Sequence, residues 1–407
     1  MSNQQAAIEI IYKLQQHGFQ ALLAGGCVRD MLLGRTAKDY DVATNAQPAD
    51  VMRLFRRTLK VGAKFGVVIV LVRNQQVEVA TFRSEAGYED GRHPTEVRFT
   101  SDAEDASRRD FTINGMFYDP ITEQVLDYVE GQADLKKRII RTIGHPKERF
   151  GEDYLRMLRA IRFSTQLGFA IEPETYAAIG RNAARIAQIS GERIAAELEG
   201  TLVHPNRAAG AAMLIETGLA EAVFPGFAGD SAPQAIAVLG QLRRNVDFPL
   251  TLAAFFVGHP TDFAMNKCEV LKLSNKQTKH IEFLLSHRGG LLDSGMSLAQ
   301  LKRFLAEPCF RDLYELERAI QKAAASETGL AHLIDLRRRI RDLGDVDVKP
   351  RPLLNGHDLM RLGAMPGPSL GQLAEELYIA QLEGEVASRE QAGQWVSEWL
   401  RRHRSTQ

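Results

Sequence analysis

Cysteine is scarce in this chain and an excess of either charge is absent. The three cysteines, Cys27, Cys268 and Cys309, lie far apart with no CxxC pair. They provide neither a disulfide framework nor a zinc site, which fits a reducing compartment. Lysine and arginine total 51, as do aspartate and glutamate, so no global field draws the protein to nucleic acid, and any RNA contact must rest on local patches. No apolar run approaches the roughly 20 residues of a membrane span, and the first 20 residues have neither a basic n-region nor an apolar h-region. A cytoplasmic location is therefore expected. Internal repeats and low-complexity tracts are also missing, and GHPTDF at 258–263 lacks the paired His–Asp set of a phosphohydrolase metal site. What remains is an ordinary globular composition, 44% hydrophobic and 25% charged, over 407 residues, enough for two or more domains with ample core.

Chemistry concentrates first between Leu23 and Thr44, LAGGCVRDMLLGRTAKDYDVAT. An apolar run from Ala21 to Ala24, then Gly25-Gly26, then Val28 to Leu33 reads as strand, tight turn and helix start. Paired glycines let backbone approach a ligand closely, and free amides at a helix N-terminus favour phosphate. Gly34 ends the helix, and a second strand is expected to carry Asp39 and Asp41 on one face, since strand side chains repeat every two residues. Two neighbouring carboxylates repel unless a cation lies between them, and hard oxygen ligands with open positions suit Mg²⁺ bound to a nucleoside triphosphate. A lone DxD is more often a solvated turn, and it also serves sugar-nucleotide glycosyltransferases. Here it stands in one compact unit with the glycines, Arg29 and Asp30.

Further along, an amphipathic helix opens the chain and ends near Gly18. Pro48 to Leu59 reads as a helix bearing Arg53, Arg56 and Arg57. Phe65–Val72 and Gln76–Phe82 read as a hairpin. Glu78 sits among Val77, Val79 and Ala80, where a carboxylate is costly unless paired or metal-bound, and it is the candidate third carboxylate. Ser84 to Ser107 is polar and turn-rich, the pattern of a working loop, and Arg108-Arg109-Asp110 follows it. Phe150 to Phe163 reads as one helix, with Leu155, Leu158 and Ile161 on an apolar side and Asp153, Arg156, Arg159 and Arg162 along a drifting polar face.

The stretch GGCVRDMLLGR followed by KDYDVAT resembles the signature of the tRNA nucleotidyltransferase and bacterial poly(A) polymerase family, class II. GYEDGRHPTEVRF resembles its flexible loop, RRDFT its triphosphate- and ribose-contacting motif, EDYLRMLRAIRF its nucleotide-selecting motif, and the C-terminal stretch from Pro352 the tail of bacterial tRNA nucleotidyltransferases. The resemblance implies an α+β fold: a DNA polymerase β-type head with a small mixed sheet, followed by an all-α neck, body and tail. The expected division is 1–135 head, 136–200 neck, 201–345 body and 346–407 tail, the last binding tRNA.

The same resemblance implies template-independent addition of C, C and A to the tRNA 3′ end from CTP and ATP, by two-metal transfer with Mg²⁺ on Asp39 and Asp41. Gly25, Gly26 and Arg29 would cradle the triphosphate, with Arg109 and Asp110 as further ligands. Asp153 and Arg156 would choose the base, and Arg159 and Arg162 would touch phosphate or base. The choice has a chemical rationale. Cytosine and adenine each present an amino donor beside a ring-nitrogen acceptor, which a carboxylate and a guanidinium match; uracil and guanine present the reverse. Three alternatives stay open: a specialist adding only the terminal A, a poly(A) polymerase, and a non-catalytic helical RNA-binding protein. Against the second, this chain has Gly62-Ala63-Lys64-Phe65 where a basic G-[RK]-[RK]-F is usual.

Overall fold

The computed structural model describes residues 2–60, 66–88, 94–227, 229 and 231–404. Helix α1 (Asn3–Gln16) starts at a capping box in which Ser2 and Gln5 exchange hydrogen bonds, and it buries Ala6, Ala7, Ile10, Ile11 and Leu14. These five recur at the helical period, so one face closes the core while the other stays in water.

The strands of the head are β1 (Ala21–Ala24), β2 (Asp41–Thr44), β3 (Thr58–Leu59), β4 (Val67–Val72), β5 (Gln75–Thr81), β6 (Arg83–Tyr88), β7 (Pro94–Phe99), β8 (Phe117–Asp119) and β9 (Gln124–Leu126). Seven of them form a mixed sheet in the order β3-β4-β5-β2-β1-β8-β9. All its pairings are antiparallel except β2 with β5. Leu23, Val42, Val68, Val70, Val77 and Val79 join the core that contains α1, and Leu22, Ala24, Ala43, Phe82 and Phe117 pack on the other face.

Helices α2 (Gly26–Leu32), α3 (Pro48–Leu54), α4 (Asp102–Ser107) and α5 (Gly131–Lys137) complete the head. Then come α6 (Pro146–Glu152), α7 (Leu155–Leu167), α8 (Pro173–Asn182), α9 (Gly191–Leu202), α10 (Arg207–Glu216), α11 (Leu219–Val223), α12 (Ser231–Gln241), α13 (Phe248–Phe255), α14 (Thr261–Val270), α15 (Asn275–Ser286), α16 (Leu298–Ala306), α17 (Phe310–Ala323) and α18 (Glu327–Asp342). The chain closes with α19 (Gly356–Arg361), α20 (Pro368–Glu383) and α21 (Arg389–Arg404). An α+β head followed by helices is the expected architecture.

Three local expectations need correction. The helix from Pro48 stops at Leu54 because Phe55 turns extended and Thr58–Leu59 is recruited to the sheet edge. The hairpin turn is only Arg73-Asn74, both at positive φ, the two-residue turn whose twist matches paired strands. The polar segment after Phe82 forms the hairpin β6–β7 and then α4, with residues 89–93 of the loop motif outside the described residues. Gly62–Phe65 also lies outside them.

The last three helices hold their own core, which includes Leu359, Leu373, Leu377, Val386, Val396 and Trp399, distinct from the cluster that runs through head and body. Asn355 caps α19: its side-chain oxygen accepts from the amides of His357 (2.9 Å) and Asp358 (3.1 Å), and its own amide donates to Asp358. Replacing Asn355 with Ala is expected to destabilise this unit by about 1 kcal/mol, read as a lower urea midpoint at unchanged slope.

Short polar contacts tie it to the body, the Arg303–Glu375 ion pair at 2.5 Å among them. Lys302 Nζ, buried, donates to Leu382 O at 2.6 Å, and the Ala299 amide donates to Glu383 at 2.8 Å.

Candidate active site

Strand pairing builds the floor of the site. The antiparallel register sets Ala24 opposite Asp41, so the glycine turn leaving β1 lies beside the first residue of β2. Gly25 has φ +75°, and a Cβ there would sit 2.9 Å from Arg109 Nη1; both facts require glycine. Its amide donates to Met116 O, so only the first-turn amides after it are free to face an anion.

Asp41 opens β2, but Asp39 precedes the strand. The expectation that both project from one strand face is therefore corrected, although both line the same cleft. Parallel pairing of Val42 with Val79 puts Glu78 next to Asp41 on the shared sheet face. Glu78 is exposed, not enclosed by apolar neighbours as its sequence setting implied, and it stands outside the cleft wall.

The Asp41 carboxyl is pushed up to about 6, first by desolvation and then by Glu78, with Asp39 adding and Arg109 opposing. The nearby Cys27 thiol is pushed up to about 11 by burial, so it is a neutral packing group and not a nucleophile.

The cleft encloses about 730 Å³ between the head and α7. Eight cationic side chains line it (Arg29, Lys38, Arg108, Arg109, Arg156, Arg159, Arg162, Arg193) against five acids (Asp30, Asp39, Asp41, Asp110, Asp153). A chain of zero net charge thus concentrates a local positive field where a polyanion would lie.

Buried acids hold these arginines in place. Asp105 takes Arg108 at 2.7 Å and Arg109 at 2.9 Å. Asp110 binds Arg159 through Nε (2.8 Å) and Nη2 (2.6 Å) and accepts from Asn114. Burial works to raise both carboxyls, but the facing guanidinium groups outweigh it and hold each below its ordinary range. Arg29 is anchored by Asn114 (2.7 Å) and Asp30 (2.8 Å). The Phe163 ring is flanked by Arg162 at 4.2 Å and by Arg29 and Arg159 at 5.3 Å each, an arrangement stabilised by the ring quadrupole. Asp110 therefore acts on Arg159 as an orienting partner within this wall.

The single helix expected over 150–163 is two. At Asp153 the backbone is extended (φ −148°, ψ 106°), which separates α6 from α7. Asp153 thus precedes the helix instead of sharing its polar face, and its Oδ1 accepts from the Leu155 amide at 3.0 Å. Its Oδ2 pairs with Arg193 at 2.7 Å, not with Arg156. Arg156 reaches Glu152 (2.5 Å) and the carbonyls of Arg149 and Arg108.

Arg193 was not legible as a site residue. It lies on α9, and its Nη1 is buried with no hydrogen-bond partner among the described residues. Glu197, one turn on, takes Arg162 at 2.5 Å. Packing of α9 on α7 brings Arg193 to the cleft and Glu197 to Arg162.

Away from the cleft, Asp247 and Asp312 bracket the two ring nitrogens of His280 at 3.8 and 3.1 Å, and none of the three lines the site. No helix among the described residues is long and apolar enough to cross a membrane.

Residues 21–141 match the family model described as "Poly A polymerase head domain", and residues 168–230 the one described as "Probable RNA and SrmB- binding site of polymerase A". The chain is 35% identical over 405 residues to a CCA-adding enzyme of Geobacillus stearothermophilus, covering 97% of this chain and 96% of that one. It is 33% identical to a CCA-adding enzyme of Lactobacillus johnsonii over 95% of each chain. Among solved structures, the Bacillus stearothermophilus CCA-adding enzyme in complex with CTP superposes with a TM-score of 0.81 at 33% identity, covering 100% of both chains. The Thermotoga maritima CCA-adding enzyme complexed with tRNA_CCA shares the fold, with a TM-score of 0.68 at 20% identity over 97% of this chain and 95% of that one.

Proposed function

The chain belongs to the CCA-adding enzyme family, and from that premise we infer that its cleft adds C, C and A to the 3′ end of tRNA from CTP and ATP. The observation that carries this reading is the Ala24–Asp41 pairing, which sets paired carboxylates and a glycine turn against a wall of arginines.

The family uses a divalent cation, and we assign Mg²⁺ to Asp39 and Asp41. The donors are hard carboxylate oxygens, and the Asp41 carboxyl, raised first by desolvation and then by the charges of Glu78 and Asp39, is a group whose ionised form a cation would favour. When bound, the cation supplies charge neutralisation at the triphosphate and acidifies the RNA hydroxyl. Glu78, beside Asp41, adds negative charge that favours the ionised, cation-binding pair of aspartates only when a cation is there to share.

The protein's own groups orient the substrates. Gly25 and Gly26 let the triphosphate approach backbone, and Arg29 and Arg109 bind its oxygens, held in register by Asp30, Asn114 and Asp105. Asp110 fixes Arg159, and Glu197 fixes Arg162, so these two guanidinium groups meet phosphate or base without first losing conformational freedom. Asp153, steadied by Arg193, accepts from the amino group of cytosine or adenine, and Arg156 donates to the ring nitrogen. We divide the chain accordingly into head 1–135, neck 136–200, body 201–345 and tail 346–407, with the tail as the tRNA-binding unit.

The test is to incubate tRNA lacking its 3′ end with labelled CTP alone, ATP alone, and both. Growth by two C and then one A is expected. Addition of A only to tRNA already ending in CC would replace this reading with the A-adding specialist, and no incorporation at all would remove it.

A further inference from the structure

Three helices of the body, α13, α15 and α17, bring polar side chains to one imidazole. His280 lies on α15, Asp247 caps α13, and Asp312 stands in the first turn of α17. Each carboxylate faces a different ring nitrogen: Asp247 Oδ2 is 3.8 Å from Nδ1, and Asp312 Oδ2 is 3.1 Å from Nε2.

Each acid owes its place to its own helix. Asp247 Oδ1 accepts from the Leu250 amide at 3.0 Å, an N-cap bond that leaves Oδ2 for another partner. Asp312 sits where the free amides of a first turn favour negative charge. Neither meets a lysine or arginine within ion-pair distance among the described residues. Two carboxylates against one imidazole leave net negative charge whether the ring is neutral or protonated, an arrangement that a multivalent cation stabilises.

The imidazole itself points to a ligand. Its Nε2 is buried and has no hydrogen-bond partner among the described residues, which costs free energy unless something else meets that atom. Asp312 Oδ2 is only 3.1 Å away, yet the contact is not a hydrogen bond, so the oxygen lies off the axis along which the ring N–H or lone pair points. A shared proton would draw the oxygen onto that axis. Ligand atoms at neighbouring vertices around one ion behave otherwise: each is about 2.0–2.2 Å from the metal, so they stand about 3 Å apart and neither points at the other. One ligand atom from each of the three residues lies within 4.8 Å of the other two. The remaining gap closes by rotation of Asp247, whose side chain is 52% exposed and also gives an ion its way in.

We propose that Asp247, His280 and Asp312 form a metal site of their own for a first-row divalent transition ion such as Zn²⁺, with water completing the coordination. An imidazole in the ligand set favours such ions over Mg²⁺, which prefers oxygen alone, so the site differs in chemistry from the carboxylates of the cleft. The ion joins α13, α15 and α17 and braces the body. None of its ligands lines the cleft, and its role is structural.

The test is titration of Zn²⁺ into the metal-free full chain against a chromophoric chelator, with Mg²⁺ in large excess to occupy the cleft carboxylates. It involves no turnover, so its result is independent of what the cleft does. One equivalent of Zn²⁺ is expected to bind. Its affinity should fall about a hundredfold in H280A and in D312N, the upper end of what loss of even an outer partner of a metal ligand costs. D247N preserves the helix cap, since asparagine caps as well as aspartate, and is expected to lose about tenfold; it keeps the test readable if the more buried substitutions disturb folding. Co²⁺ in place of Zn²⁺ should give visible d–d absorption in the wild type that H280A lacks. No Zn²⁺ bound by the wild type under excess Mg²⁺ would overturn the proposal. Equal affinity in the wild type, D247N and D312N would do so too, leaving the three residues as an ion-paired junction between helices.

Discussion

Asp41→Ala is expected to lower kcat for both C and A addition by about a thousandfold or more, roughly 4 kcal/mol of transition-state stabilisation, while tRNA affinity stays within a few-fold. The side chain is assigned to the cation, and the RNA is gripped elsewhere. Asp39→Ala should behave alike. A kcat within tenfold of wild type for either variant would remove the carboxylate assignment.

The elevated pKa adds a second, independent readout. Asp41 titrates near 6 in the fold against an ordinary value of 3.8, so the native state holds this proton more tightly than the unfolded chain does. The contribution of the group to stability is therefore fully present below about pH 4 and is lost as pH rises through about 6. Asp41→Asn should erase that part of the pH dependence without loss of fold. A cation must also displace the proton at low pH, so the Mg²⁺ concentration for half-maximal activity is expected to rise about tenfold per unit below pH 6. A Mg²⁺ requirement that stays flat between pH 5 and 7.5 would contradict this.

Asp153→Ala carries the next largest effect, and it is an effect on choice. Loss of one charge-assisted hydrogen bond amounts to roughly 1.5–3 kcal/mol, or about tenfold to a hundredfold in discrimination. Without the carboxylate, Arg193 keeps a guanidinium whose Nη1 already has no partner among the described residues and whose Nη2 loses its 2.7 Å acceptor. That group would donate to any carbonyl-bearing edge, so UTP and GTP use should rise relative to CTP and ATP. Arg162→Ala, by contrast, should raise KM for all four triphosphates together. The measurement is kcat/KM for each triphosphate on both variants. Equal loss for all four in Asp153→Ala would make that residue structural, a cap on Leu155 and an anchor for Arg193.

Much of this was legible in the sequence because local chemistry announced it. Gly25-Gly26 between an apolar run and a helix, and acids on either side of Tyr40, need no tertiary information to be read as a turn facing carboxylates. The errors came where tertiary packing decided. The helical period runs without interruption from Phe150 through Phe163, with no proline near Asp153, so nothing in the sequence marks the extended residue that splits α6 from α7. Glu78 lies between valines that face the core, but a strand has two faces, and its own face is exposed. Arg193 and Glu197 stand 40 and 35 residues from the partners they hold, Asp153 and Arg162, and an alanine-rich helix surface gives no local sign of such contacts.

The polar contacts that fasten the last three helices to the body have a mechanical consequence. Lys302 meets the carbonyl end of α20, and Glu383, at the same end, reaches back to the amide end of α16. The pair is a reciprocal clasp between two helix ends, with Arg303–Glu375 alongside at 2.5 Å. The apolar clusters on the two sides remain separate. The joint is thus made mainly of polar latches between two closed bodies. Opening this joint would exchange those few hydrogen bonds for water while each hydrophobic core stays shut, so its strength, unlike that of the two cores, should fall as salt is raised.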